Sequence, residues 1–278
     1  MFLSSPAPFQ EAINAALVKS LLPTTGRTAD LRQLESAVKR RALWSATVTS
    51  TNVLKTIADG TDAILRGEVD QATVSLEIRR MLEAEGYQPA PEDRGTMLDL
   101  ASELRRNTII ETQVGMARGL GWHQQGMQED VLEEFPAQEL FRATSPQGGA
   151  AAERKWAQIW TDEGGLFFNG RMIALKTDEI WERLGDPSRY PDGLGNAYPP
   201  FRINSGMRVR DIDRDETEAL GLIKPGARLT PAPADDFTAD LQATAAMRED
   251  WLRSAIADSG LATFGADGVL RFNDGGVL

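Results

Sequence analysis

Apolar residues recur every three or four positions through the first half of the chain, and that rhythm stops near residue 135. Such spacing puts one stripe of each segment against a core and leaves the rest to water, which is the pattern of packed helices. From Pro136 onward Gly, Pro and aromatic residues crowd together, and short apolar runs alternate with turn signals. The fold class this implies is α+β and predominantly α. A helical region is expected over 1–134, a smaller mixed lobe with hairpins over 135–225, and a helix with a tail over 226–278.

Local signals place the elements. Phe9, Ile13, Ala16, Leu17 and Leu21 share one face of a helix that Pro23 to Gly26 should stop. Thr28 or Asp30 can cap a helix carrying Leu31, Leu34, Val38 and Ala42. The same pattern runs on through Trp44, Val48, Val53 and Ile57 to Gly60, with Ser45 to Thr51 favouring a kink, and a short segment from Thr61 to Leu65 follows. Asp70 can cap a helix with Val74, Ile78, Met81 and Leu82, and Thr96 can open another that Gly115, Gly119 and Gly121 loosen at its end.

Beyond the switch, Glu139 to Arg142 reads as extended and Ser145 to Gly149 as a turn. Ala150 to Trp160 reads as a short helix, Ile180 to Leu184 as a helical turn, Asp186 to Phe201 as an ordered loop and Met207 to Ile212 as a strand. Asn169-Gly170 between apolar runs predicts a hairpin. Asp213 caps a short helix that ends at Gly221, and a linker follows over 225–233. A last helix is expected over 235–259, then a hairpin around Ala266-Asp-Gly268.

Composition narrows the chemistry. The chain has no Cys and one His, His123, which excludes disulfides, thiolate nucleophiles and multi-His metal sites. A net charge of -11 argues against a surface built to grip nucleic acid. No stretch has the length and apolarity of a membrane span, and Met1 to Phe9 lacks the basic and apolar regions of a secretory signal, so synthesis in a cytoplasm is expected.

Candidate chemical groups are sparse. His123 is read as a packing or surface residue, because no Gly-x-Ser-x-Gly elbow accompanies it. Gly115 to Gly121 has the glycines of a phosphate loop but follows a helix rather than a strand. Asp186, Asp192 and Asn196 are read as turn formers, a hard-cation site being the alternative. Glu103, Glu111, Asp162 and Glu163 are carboxylates that nothing in the sequence pairs. Lys39-Arg-Arg41 and Arg105-Arg106 read as solvated helix faces, or as a partner surface. Trp156, Trp160 and Trp181, close to Phe167 and Phe168, read as the aromatic core of the second lobe in preference to a binding face.

The helix from Arg105 to Gly121 carries an arginine, an apolar pair, a threonine, an alanine and a glycine at Arg105, Ile109, Ile110, Thr112, Ala117 and Gly121. Glu139-Leu-Phe-Arg142, Trp156 and Trp160, Met172 to Lys176, Ile180-Trp181, Tyr198-Pro199-Pro200-Phe201 and Asn204-Ser-Gly-Met207 follow in order. This series resembles the Mu F-like phage head morphogenesis (minor head) proteins over roughly residues 95–222, with Ser45-Ala46 after Trp44 a looser match. Where relatives carry Asn-Cys-Arg-Cys, this chain has Asn204-Ser-Gly-Met207, and the family's upstream histidine has no counterpart near Trp156.

The resemblance implies a non-enzymatic virion component of the phage head, acting in head morphogenesis and in DNA packaging or ejection. Its implied partners are the portal protein, the major capsid protein, or both, with self-association into a homo-oligomer. No cofactor and no membrane association are expected, and the negative charge argues against direct DNA binding. Arg105, Thr112, Ala117, Gly121, Trp156, Trp160, Trp181, Pro199, Pro200 and Asn204 are structural positions under this reading, and none is catalytic or metal-binding. The alternatives are a head–tail connector, or a nuclease or ADP-ribosyltransferase-like enzyme using His123 with Arg105 or Arg118 and Glu111.

Overall fold

The structure is a computed structural model and describes residues 9–17, 19–25, 42–144, 155–231, 241–242, 250–260, 262–267 and 269–273. The fold is α+β and mostly helical. The chain divides into two compact units, Met1–Arg118 with Asp236–Leu278, and Gly119–Asp235. The composition change near residue 135 lies inside the second unit, because the chain has already entered it on a helix.

In the first unit α1 spans Gln10–Leu17, β1 Ser20–Leu21 and β2 Ala42–Leu43. The helix expected to reach Leu22 stops early because the backbone finds partners elsewhere. β1 runs parallel to β2, and Leu22 and Thr24 donate N–H bonds to the carbonyls of Leu43 and Val48. Residues 26–41, with the expected helix from Leu31 and the Lys39-Arg-Arg41 patch, lie outside the described residues. The Ser/Thr run produces a full break rather than a kink. Thr47 takes a positive φ of 63°, and Ser50 caps α2 (Thr51–Arg66) by accepting the Val53 N–H at 3.1 Å.

Helix α2 passes through Gly60, where the sequence pattern had placed its end, and stops at Gly67 with φ 74°. Gly60 is needed for proximity. A Cβ there would collide with Val74 on α3 (Gln71–Ala84). Asp70 caps α3 as expected, accepting the Thr73 N–H at 2.7 Å.

The next helix, α4, spans Glu103–Gly126 and starts seven residues after the expected Thr96. Side chains hold residues 96–102 in turns. Asp99 accepts N–H bonds from Gly95 and Ala101, and the Ser102 hydroxyl donates to the Thr96 carbonyl. Its C-terminal half is unbroken helix at Gly115, Gly119 and Gly121, so the GMARGLG segment is helix rather than a loop. The division between the units falls within α4.

The second unit adds α5 (Glu129–Glu134), β3 (Ala137–Arg142), α6 (Trp156–Asp162), β4 (Phe167–Phe168), β5 (Arg171–Leu175), α7 (Ile180–Gly185), β6 (Met207–Ile212) and α8 (Arg214–Ala219). Its sheet has the order β4-β5-β3-β6, all antiparallel. The Asn169-Gly170 turn joins β4 to β5, both residues having positive φ. One sheet face, with Leu140, Ala174 and Met207, packs on Trp156, Trp160, Ile180, Trp181, Leu184 and Phe201. The opposite face buries Ala137, Ile173 and Ile212 against Leu220 and Leu222. Residues 145–154, with the expected Ser145 to Gly149 turn, lie outside the described residues.

The C-terminal part forms β7 (Leu241–Gln242), α9 (Asp250–Asp258), β8 (Ala262–Phe264) and β9 (Val269–Phe272), with sheet order β7-β9-β8. Two residues expected in the last helix, Leu241 and Gln242, are instead strand, drawn out by pairing with Leu270 and Val269. The predicted hairpin around Ala266-Asp267 joins β8 to β9.

Candidate functional site

The arginine pair at the start of α4 is internal, contrary to the solvated face its charge suggests. Arg105 donates from Nη2 to the Ser45 hydroxyl at 3.1 Å and to the Ala46 carbonyl at 3.2 Å. Burial lowers its pKa, so its position is bought by backbone and hydroxyl acceptors rather than by a carboxylate. Arg106 is buried and bonds Ser75 at 3.0 Å and the Ala101 carbonyl. These contacts bring Arg105 onto Ser45-Ala46, two pieces of the sequence series 60 and 59 positions apart. Ile110 and Ala117 are buried on α4, and Thr112 is half-buried.

In the second unit the three tryptophans are core. Trp160 and Trp181 are fully buried with ring centroids 5.5 Å apart, and Trp181 stacks on Phe201 at 6.1 Å. The indole N–H groups of Trp160 and Trp181 reach carbonyls, Leu166 at 2.9 Å and Leu175 at 2.7 Å, whereas the buried Trp156 N–H has no hydrogen-bond partner. Trp156 packs in the same cluster, with the Arg202 guanidinium 5.0 Å from its ring.

Against this core lies the loop over 186–206. Leu194 donates to the Phe201 carbonyl at 2.9 Å, Ile203 to Asp192 at 3.2 Å and Gly195 to Gly185 at 2.8 Å, so the loop is tied to itself and to α7. Asn196 is fully buried and donates to the Pro200 carbonyl at 3.1 Å. The Pro199-Pro200 bond is cis. Its carbonyl side presses on α4 so closely that a Cβ on Gly119 would run into the Pro199 oxygen and the Tyr198 ring. Tyr198 also faces the His123 ring at 5.5 Å.

Glu163 is the buried anion of this loop. It accepts from the Tyr190 hydroxyl and meets Arg189 at 3.2 Å and Arg183 at 3.8 Å. Burial, then the bond to Glu163, pushes the Tyr190 phenol above its ordinary range. The Arg202 guanidinium lies 3.3 Å from the Tyr190 ring centroid and donates to the Leu184 carbonyl at 3.0 Å. Neither this clamp nor the Gly119 approach was visible in the sequence, although an Arg, Tyr and Glu grouped around a Gly/Pro loop is a signal for one.

Asn204 has φ 53° and Gly206 has φ 65°. The Gly206 carbonyl accepts from Ala143 at 2.9 Å and Thr144 at 3.2 Å, so Asn204-Ser-Gly-Met207 carries the loop into β6 and closes it on the end of β3. Family models, curated proteins and solved structures give no match to this chain.

The remaining candidates do not converge. Asp186 caps a local turn through Ser188 at 2.8 Å, and among the described residues no three His, Cys, Asp or Glu side chains gather as metal ligands would. Glu103 and Glu111 belong to the first unit, Asp162 and Glu163 to the second. Asp162 is exposed and accepts from Gln158, while its neighbour Glu163 is buried. What the site does physically is tie a Gly/Pro loop to the aromatic core beneath a four-stranded sheet, with Trp122, Leu166 and Phe167 exposed on the same unit.

Proposed function

We propose that this chain is a non-enzymatic minor head component of a phage virion, acting through surfaces offered to the portal protein, the major capsid protein, or both. The observation that carries the reading is the ordered residue series from Arg105 to Met207 and its likeness to Mu F-like head morphogenesis proteins. Support comes from what those residues do in the fold. Arg105 ties the 45–46 turn, the tryptophans fill the core, and the Pro199-Pro200 turn seats on Gly119. They are scaffold positions, and a scaffold that displays exposed Trp122, Leu166 and Phe167 suits partner docking. The test is capture of the full chain by the portal or major capsid protein of the same virion.

A further inference from the structure

Charge in the second unit is uneven along one strand, with acidic groups in excess at its Ala137 end, where Lys176, Arg214 and Arg228 also lie. Helix α5, with sequence EDVLEE, directly precedes β3, and Glu129, Asp130, Glu133 and Glu134 are all exposed. Glu133 meets Arg228 at 3.5 Å, whereas Glu129 and Glu134 have no cationic partner among the described residues. Asp213, also exposed, follows Ile212, the residue paired with Ala137 at this same end of β3.

The other end of β3 is basic. The register sets Arg210 opposite Glu139 and Arg208 opposite Phe141. Arg171 stands one residue beyond Met172, which pairs with Leu140, so its side chain joins the same face. Buried Glu139 binds both neighbours through one oxygen, Oε2, with Arg171 at 2.7 Å and Arg210 at 2.8 Å. Arg210 also lies 5.4 Å from the centre of the Phe141 ring. Arg171 also pairs with Glu216 of α8, so Glu139 and Glu216 offset the charge of Arg171 and Arg210, while Arg208 and Arg210 remain exposed. Arg208 has no carboxylate partner among the described residues.

Arg208, opposite Phe141, stands four residues or about 13 Å along the strand from the Ala137–Ile212 end, and Arg210, opposite Glu139, stands about 7 Å from it. The Arg208 distance exceeds the screening length of about 8 Å at physiological salt, so α5 does not neutralise Arg208 within one copy. Both belong to one compact unit and cannot fold onto each other, but they can meet between copies. We propose that the Arg208–Arg210 face of the sheet docks a second copy of this chain through the acidic α5 of that copy. The contact is head-to-tail, each copy offering one acidic and one basic end, and it closes into a ring where the rotation allows. It stands independently of portal binding, since it uses only this chain's own surfaces.

The experiment is sedimentation velocity on the full chain at concentrations up to roughly 100 µM. The expected result is self-association that weakens as salt rises from about 0.05 to 0.5 M. Arg208→Glu alone, and Glu129→Lys with Glu134→Lys, each weaken association about tenfold or more. Mixing the two variants restores it, because each then supplies the end the other lacks. All three positions are exposed, and unchanged circular dichroism verifies the fold. The proposal is overturned by a chain that stays monomeric throughout, by association indifferent to either reversal, or by no recovery on mixing. A monomer whose Arg208→Glu variant loses binding to a DNA duplex would also overturn it, assigning the face to nucleic acid instead.

Discussion

At the residue scale, Gly119 and Lys19 show how single groups set the terms of packing. Gly119 sits where helix α4 and the Pro199 carbonyl approach most closely, and the obstacle is backbone, which cannot rotate aside. Gly119→Ala should therefore destabilise the second unit by about 1–3 kcal/mol despite the better helix propensity of Ala. Urea unfolding measures this, and a variant as stable as the parent would contradict the close approach. Lys19 is half-buried, and its ammonium donates to Gln113 at 3.2 Å. Desolvation pushes it down to about 8. Below that pH both folded and unfolded chains hold the proton, and burying the charge costs stability. Between about pH 8 and 10.4 the unfolded chain binds more protons than the folded one, so stability from this group rises with pH. Lys19→Met should then stabilise the chain by about 1 kcal/mol at pH 7, after loss of the Gln113 bond, and the gain should shrink toward pH 10. Thermal melts at the two pH values test the sign; a gain that grows with pH would contradict it.

At the element scale, legibility tracked how local the cause was. The Asp70 and Asp213 caps, the Asn169-Gly170 hairpin and the Met207–Ile212 strand were readable because each signal and its structure lie within a few residues. Asp70→Ala should cost about 1 kcal/mol by freeing the Thr73 N–H, measurable by chemical denaturation, and no loss would show that another acceptor replaces it. Misreadings came from distant partners. Ser20–Leu21 left its helix to pair with residues 42–43, and Leu241–Gln242 left theirs to pair with β9. Gly60 and Gly119 looked like breaks and are close-packing positions, because nothing in a sequence names the atom on the far side. Residues 96–102 kept a helical spacing that Asp99 and Ser102 override by bonding the backbone in turns. The Trp156, Trp160 and Trp181 core was legible as composition, whereas the Glu163–Tyr190 clamp depends on residues 27 positions apart.

At the scale of the whole molecule, the charge pattern matters more than the total. A chain of net -11 repels itself at long range, yet its second unit carries exposed Arg208 toward one end of a strand and an exposed acidic helix before the other. Such polarity is useful in an assembly, where identical surfaces meet repeatedly, and gives a plain reason to treat the aromatic core as a mount for surfaces. The salt-dependent self-association described above is the expectation at this scale. The proposed role as a head component is tested most directly by immobilising the portal protein, or the major capsid protein, of the same virion and measuring capture of the full-length chain. Saturable binding to at least one of them, competed by untagged chain, is the expected result. A folded chain that binds neither would contradict the reading.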